Sequence, residues 1–394
     1  MEDLQGDGEE RSDESSDPEI VHGWDALETG DVESARKAAQ AVLAHGERVT
    51  PSAASRMDAL LLLAACAREE NDVDGALESL QAAAEEDPEW CTPELWMAEV
   101  LSEDPERLDQ ALRHARRALD RAEEEDEYLD TLRCKAAIEL DLGRPSEARK
   151  TLKGLPPAEL PLDDSEANLD FAQLLMDLGE AGEARLRLQA VVDAEPELAD
   201  AWYLLGAAAE LLGEEEAKRA AWTRTRALDL KVTDAGSGGG GGRTTDEEGT
   251  GQGTGQRVRE AAIGREADSA FRPPRLEEDT LVALAEATLA ELPPELRSLM
   301  ENVPIVVAEM PAAADVATGL DPRLLGMFSG TPHAENGGVL DPAMLTEIVL
   351  FRRNIERFAV DDEMMADEVR TTLLHEAGHF FGLDEAALAS MGLE

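Results

Sequence analysis

A repeat of turn and helix signals fills residues 21–230 and limits the folds open to this chain of 394 residues. Glycine or asparagine is followed five residues later by alanine at four turns, and the turn positions recur about every 36 residues. These pairs are Gly30/Ala35, Asn71/Ala76, Gly143/Ala148 and Gly179/Ala184. Two weaker pairs, Arg107/Ala111 and Gly213/Ala217, have one residue fewer. Apolar helical patterns flank each turn, as in "MDALLLLAACAREEND". The segment therefore predicts stacked helical hairpins, with a non-repeating helical bundle as the alternative.

This repeat resembles the tetratricopeptide (TPR) repeat, a helix–turn–helix unit of about 34 residues. In the copy 199–230, the signature positions of the first helix are occupied by Trp202, Leu205, Gly206 and Ala209. Small residues are needed where two helices cross closely. The resemblance implies an all-α solenoid whose concave surface binds a protein partner.

The two ends of the repeat region differ from it in composition. Residues 1–20 are acidic and predict a disordered tail. Residues 231–274 contain the run "GSGGGGG" and predict a flexible Gly-rich linker. About 40 residues of such a chain separate their ends by roughly 35 Å. We therefore expect two domains that are tethered rather than rigidly docked.

The net charge of −51 excludes some partners. It repels phosphates and anionic headgroups, so nucleic acid and membranes are not expected partners, whereas basic proteins are favoured. The start of the chain has neither the basic nor the apolar segment of a signal peptide, and no apolar window is long enough for a membrane span. Cys66, Cys91 and Cys134 lie among apolar helical residues and predict small buried side chains rather than disulfides or ligands. We expect a soluble, cytoplasmic protein.

Residues 275–394 predict a second, small α+β domain. A helical segment interrupted at Pro293–Pro294 precedes the β-branched strand 303–311. Residues 321–332 predict a short helix that ends in a glycine turn. A second strand at 346–352 and a short helix at 354–359 follow, and then comes a long helix that Gly382 ends.

The sequence His375-Glu376-Ala377-Gly378-His379 lies late in that long helix and is an HExxH motif. Histidines at i and i+4 project from one helix face, as two nitrogen ligands of one zinc ion must. Glu376 can reach a water molecule at the metal without ligating the metal, and a carboxylate there is a general base for hydrolysis.

The motif continues to Gly382 and then to two carboxylates. In the pattern HExxHxxGxxH the third ligand falls ten residues after the first histidine, which is Glu385 here. Asp384 is the alternative third ligand. His333, the other histidine of this domain, is expected to be a loop residue. His22, His45 and His114 belong to the repeats and are expected to be solvated or to pack.

Residues 276–394 resemble a bacterial family of minimal zincin-like metallopeptidases, acidic domains similar to matrix metalloproteases. Four blocks carry the resemblance: "LPPELRSLMENVPIVVAEMP", "LLGMFSGTP", "EIVLFRRNIERFAVDDE" and "EVRTTLLHEAGHFFGLDEAAL". The resemblance implies an α+β fold with one zinc ion on the active-site helix. Relatives often carry aspartate at the position of Glu385.

We therefore expect a zinc metalloendopeptidase in which His375, His379 and Glu385 bind the metal and Glu376 is the general base. The repeats would act as an adaptor that binds a protein, and the linker would raise the concentration of that protein near the zinc site. The alternative is a TPR interaction scaffold whose zinc-binding domain has little or no catalytic activity. A metal-dependent hydrolase of a non-peptide bond is a third hypothesis.

Overall fold

A computed structural model describes residues 17–44, 52–157, 164–237, 278–300, 303–330, 347–359, 362–384 and 387. They fall into two compact units. The described part of the first is 17–183, and that of the second is 184–237 together with everything from 278 onward. The architecture is an all-α, TPR-like solenoid followed by a small α+β domain, which confirms the predicted fold class.

The solenoid is a series of helical hairpins. Within residues 17–151 each helix packs against the next one along the chain, and so do the last two helices of the array. Its helices are α1 (Pro18–Glu28), α2 (Val32–Ala44), α3 (Ala53–Glu69), α4 (Val73–Glu86), α5 (Thr92–Ser102), α6 (Leu108–Arg121), α7 (Glu125–Asp141), α8 (Pro145–Thr151), α9 (Ser165–Asp177), α10 (Ala181–Ala194), α11 (Ala199–Leu211) and α12 (Glu215–Ser237).

The repeating turns have the backbone that the sequence predicts. Gly30, Gly143, Gly179 and Gly213 have φ between 67° and 78°, and Asn71 has φ 57°. This left-handed conformation is the one that glycine and asparagine tolerate best. The N–H of the next residue donates to a carbonyl five residues back, which satisfies the end of each first helix. The alanines paired with the first four turns are fully buried, as is Ala111.

The sequence pattern places Ala217 at the alanine position that follows the turn at Gly213, and the structure corrects this assignment. Ala217 is exposed, and the buried position is Lys218, five residues after the turn as in the other copies. The ammonium of Lys218 lies 5.4 Å from the ring centre of Trp222 and pairs with Glu210 and Glu215. A lysine is stable there because its stem packs while its charge stays paired.

The C-terminal domain places helices against a three-stranded sheet. Its elements are α13 (Glu278–Glu291), α14 (Pro294–Met300), β1 (Ile305–Ala308), α15 (Ala313–Val316), β2 (Gly326–Ser329), β3 (Glu347–Phe351), α16 (Arg352–Phe358) and α17 (Asp362–Phe381). The strand order is β1-β3-β2, with β1 parallel and β2 antiparallel to β3. Val349 is the register partner of both Val306 and Met327.

One predicted element of this domain is wrong. Residues 321–332 were expected to form a short helix, but Gly326–Ser329 form strand β2. The apolar run pairs antiparallel with β3 and so extends the sheet. Phe328 packs edge to face on Phe380 of α17, with ring centres 6.0 Å apart. The other predicted strands and helices are present within a few residues of their expected limits.

The domain limits remain predictions. Helix α1 begins at Pro18, so the predicted acidic tail lies almost wholly outside the described residues, and α12 extends to Ser237, beyond the predicted end of the repeats. Most of the predicted linker also lies outside them. Helices α11 and α12 contact the C-terminal domain through ion pairs such as Arg323–Asp229, so the last hairpin does not reach that domain through the linker alone. The prediction that the rest of the repeats is tethered rather than rigidly docked stays a prediction.

We predict that Gly206→Ala destabilises the last hairpin by about 1–3 kcal/mol, the usual cost of overpacking. A Cβ on Gly206 of α11 would lie 2.2 Å from Cδ1 of Trp222 on α12. Trp222 is buried, and its indole N–H donates to the carbonyl of Tyr203, so it has little room to move. Urea unfolding followed by tryptophan fluorescence measures the change.

The matched control is Gly182→Ala. A Cβ at Gly182 of α10 meets no atom within 4 Å, so this substitution should be neutral or stabilise the helix by about 0.5–1 kcal/mol. Equal unfolding midpoints for the two variants would contradict the close approach of α11 and α12.

Candidate metal and catalytic site

The histidines of the HExxH motif lie one turn apart on α17, and their rings converge. The Nε2 atoms of His375 and His379 are 3.0 Å apart, and the rings are inclined at 79°. Two nitrogens that bind one tetrahedral zinc ion at 2.0–2.1 Å are about 3.3 Å apart. The observed separation therefore fits two ligands of one metal ion after an adjustment of a few tenths of an ångström.

The turn at Gly382 orients the second histidine. Gly382 has φ 86°, and the N–H of Leu383 donates to the carbonyl of Gly378, the arrangement seen at the repeat turns. The turn brings the Leu383 carbonyl within 3.2 Å of Nδ1 of His379. Assigning the ring proton to Nδ1 makes this a hydrogen bond and leaves the lone pair on Nε2, the tautomer that a metal requires. The glycine of the motif thus helps to set the orientation of the His379 ring.

Glu376 is the buried carboxylate of the site. The residue is 8% exposed, and its Oε2 accepts a hydrogen bond of 2.5 Å from the backbone N–H of Phe328 in β2. A backbone donor stabilises the ionised carboxylate, which is the form that a general base needs. Strand β2 therefore helps to position the predicted catalytic group, a contribution that the HExxH pattern alone does not predict.

Strand β2 can come this close to α17 because residue 326 is glycine. A Cβ at Gly326 would lie 2.6 Å from Cγ2 of Thr372 and 3.1 Å from Cγ of Glu376. An alanine there would push the strand away from the carboxylate. Sequence reasoning missed Gly326, although an isolated glycine in an apolar run is a known sign of close backbone approach.

Of the two candidates for the third ligand, Asp384 lies within the described residues and Glu385 does not. Asp384 is exposed, and its Oδ1 accepts a hydrogen bond of 2.9 Å from the N–H of Ala387. Glu385 lies outside the described residues, as does His333. Among the residues that the structure does describe, no three His, Cys, Asp or Glu side chains are grouped closely enough to hold a metal. The assignment of Glu385 remains a prediction.

The cysteines and the repeat histidines behave as packing or surface groups. Cys66, Cys91 and Cys134 are free and buried, and burial raises the pKa of the Cys66 thiol to about 11 and that of Cys91 to about 12. Such thiols stay protonated and unreactive at neutral pH. His22 is exposed, and Nδ1 of His114 lies 2.7 Å from a carboxylate oxygen of the buried Glu94. His45 lies outside the described residues.

A membrane span is not found in the part of the chain that the structure describes, where each helix is too short or too polar to cross a bilayer.

Comparison with known structures finds TPR proteins. One from Parabacteroides merdae is 17% identical, with 71% of this chain and 94% of that chain covered and a TM-score of 0.38. The pilF protein of Pseudomonas aeruginosa is 19% identical over 56% and 91% of the two chains, with a TM-score of 0.39. A Thermus thermophilus TPR protein is 20% identical over 49% and 97%, with a TM-score of 0.36. The curated proteins give no significant match.

Two protein-family models match separate parts of the chain. The tetratricopeptide repeat model matches residues 20–89 and 169–225, and the zincin-like metallopeptidase model matches residues 300–393. The second range contains the paired histidines, Glu376 and the strand that holds it. This chain therefore combines tetratricopeptide repeats, within residues 20–225, with a zincin-like metallopeptidase domain at residues 300–393.

Proposed function

We propose that residues 300–393 hydrolyse peptide bonds with the help of one zinc ion, and that the repeats bind the protein substrate or its partner. The observation that carries the proposal is the convergence of two Nε2 atoms beside a buried carboxylate on the same helix. The match to the zincin-like metallopeptidase model supports the same chemistry.

The side chains have separate roles in this proposal. His375 and His379 bind the metal through Nε2, and the Leu383 carbonyl keeps the ring of His379 in the required orientation. When bound, zinc polarises a peptide carbonyl and makes water more acidic. Glu376 accepts a proton from the attacking water and returns it to the leaving amine. The Phe328 N–H keeps the carboxylate in place during both transfers.

A charged face on the repeats supports the binding of a polar peptide or protein segment. Arg68 on α3 pairs with Glu99 on α5 at 3.9 Å, and Arg133 on α7 pairs with Glu99 at 3.9 Å. Arg133 also pairs with Asp170 on α9 at 3.3 Å. These partly exposed groups lie on the first helices of successive hairpins. A bound segment with charges of both signs could form ion pairs with these residues in place of the pairs within the repeats. The net charge of −51 favours a basic segment.

We predict that Glu376→Gln retains zinc but loses at least about 100-fold of its peptidase activity, because glutamine cannot accept a proton from water. His375→Ala should lose both zinc and activity, since one of the two placed nitrogen ligands is removed. Metal analysis and cleavage of casein, a loosely folded protein, measure the two properties on the same preparations.

The matched control for this prediction is Glu368→Gln, a carboxylate two turns earlier on the same helix, whose Oε1 accepts from the Thr372 hydroxyl. It should keep both zinc and activity. Equal cleavage by the parent and Glu376→Gln would contradict the general-base role. Zinc binding without cleavage by the parent would favour the interaction-scaffold alternative.

We predict that Glu385→Ala weakens zinc binding by more than about 100-fold, beyond the 10–100-fold typical of losing an outer-shell partner. Asp384→Ala should bind zinc nearly as well as the parent, because Asp384 already accepts a backbone hydrogen bond from Ala387. Competition with a chelator of known affinity measures both constants. Loss of zinc in Asp384→Ala alone would transfer the third-ligand role to Asp384.

A further inference from the structure

Two aspartates of the last helical hairpin pair with two arginines of the C-terminal domain. Asp200 lies on α11 and Asp229 on α12, whereas Arg323 precedes β2 and Arg357 lies on α16. Arg323 contacts Asp200 at 2.6 Å and Asp229 at 3.2 Å. Arg357 contacts Asp200 at 2.8 Å and also pairs with Asp229. Each arginine thus bridges both aspartates, and the four charges form one network.

The centre of this network is removed from solvent. Asp229 is 8% exposed, and the side chain of Arg323 is 16% exposed. Burial by itself lowers the pKa of Arg323, but the neighbouring Asp229 and Asp200 outweigh it, so the pKa is raised and the guanidinium stays charged. Charges at such depth are stable only with well-placed partners, and removing one partner is costly. The pairing therefore differs from the exposed ion pairs elsewhere on this chain, which contribute little.

Hydrogen bonds and a cation–π contact accompany the network. The hydroxyl of Tyr203 on α11 donates to Oδ2 of Asp321 at 3.0 Å, and the guanidinium of Arg323 lies 4.6 Å from the centre of the Tyr203 ring. Nε of Arg226 on α12 donates to the carbonyl of Pro311 at 2.7 Å. The same face of the hairpin thus meets three separate segments of the C-terminal domain, including α16.

The segment that carries Arg323 leads directly to the candidate site. Asn354 is buried, and its Nδ2 donates to the carbonyls of Pro322 at 2.9 Å and Leu324 at 2.7 Å. The hairpin holds this segment through Arg323 from one direction, and Asn354 holds it from inside the domain. Strand β2 begins two residues after Leu324, and its Phe328 N–H holds Glu376.

We propose that the last hairpin, α11 and α12, is a structural part of the C-terminal domain, docked through Asp200 and Asp229, and that this docking fixes the segment before β2. The hairpin then has two roles, since it is both the last repeat and the support of the strand beside Glu376. The proposal does not rest on peptidase activity, because it concerns contacts present with or without catalysis.

Hydrogen exchange followed by mass spectrometry on the full chain tests the proposal. Asp229→Asn keeps the size of the side chain but leaves both arginines short of a buried partner. We expect amide exchange in residues 321–329 to accelerate about tenfold or more. Glu197→Gln is the matched control. Glu197 lies just before α11, and the partners of its carboxylate, Arg224 and Lys231, both lie on α12 rather than in the C-terminal domain. Unchanged exchange at 321–329 in Asp229→Asn would overturn the proposal.

A second experiment does not depend on how well that variant folds. A site for a specific protease replaces residues 238–242, and the parent is cut there after folding. The two pieces should elute together from a sizing column at low salt, whereas those of Arg323→Ala/Arg357→Ala should separate. Pieces of Arg353→Ala should stay together, because Arg353 pairs with Glu309 inside the C-terminal domain. Separation of the parent pieces, or association in the double variant, would contradict docking through this network.

Discussion

The packing of α17 against the sheet and α13 decides where every group of the candidate site lies. Met365, Val369, Leu373, Ala377 and Phe380 are almost fully buried and recur every three or four residues. This apolar stripe stabilises the domain by about 1.5–3 kcal/mol for each large side chain. With 100° of rotation per residue, the histidines fall to one side of the stripe, outside its span, whereas Glu376 falls within the stripe, near its edge and next to β2. The histidines can then converge at the surface while the carboxylate is buried against a backbone donor.

The support of the site extends beyond the domain that contains it. Helix α17 and strand β2 bring Glu376 and the Phe328 N–H together. In this chain the segment before that strand is also held by Asp200 and Asp229 of the last repeat through Arg323. Any partner that displaces the hairpin would also loosen the segment before β2.

Local sequence signals predicted the parts of the fold that depend on local backbone geometry. The turn residues and the helix end at Gly382 were predictable because a left-handed residue has few substitutes. Strand β2 was not predictable, since four residues containing a glycine carry little periodic signal. Its pairing with β3 also joins residues that are far apart in the sequence. Lys218 was missed because a charged residue was not expected at a buried repeat position. The ion pair between Arg323 and Asp229 was not predictable either. Because 31% of the residues are charged, many ion pairs are possible, and the sequence does not show which of them form.

X-ray absorption at the zinc edge of the full chain tests whether His375 and His379 bind zinc, since it reports the atoms around the metal without relying on activity. We expect two imidazole nitrogens at about 2.0–2.1 Å and oxygen in the remaining positions. The imidazole contribution should fall in His379→Ala. Sulfur at about 2.3 Å would place the metal on the cysteines of the repeats, and a shell without imidazole would show that the converging histidines do not bind it; either result would contradict the account.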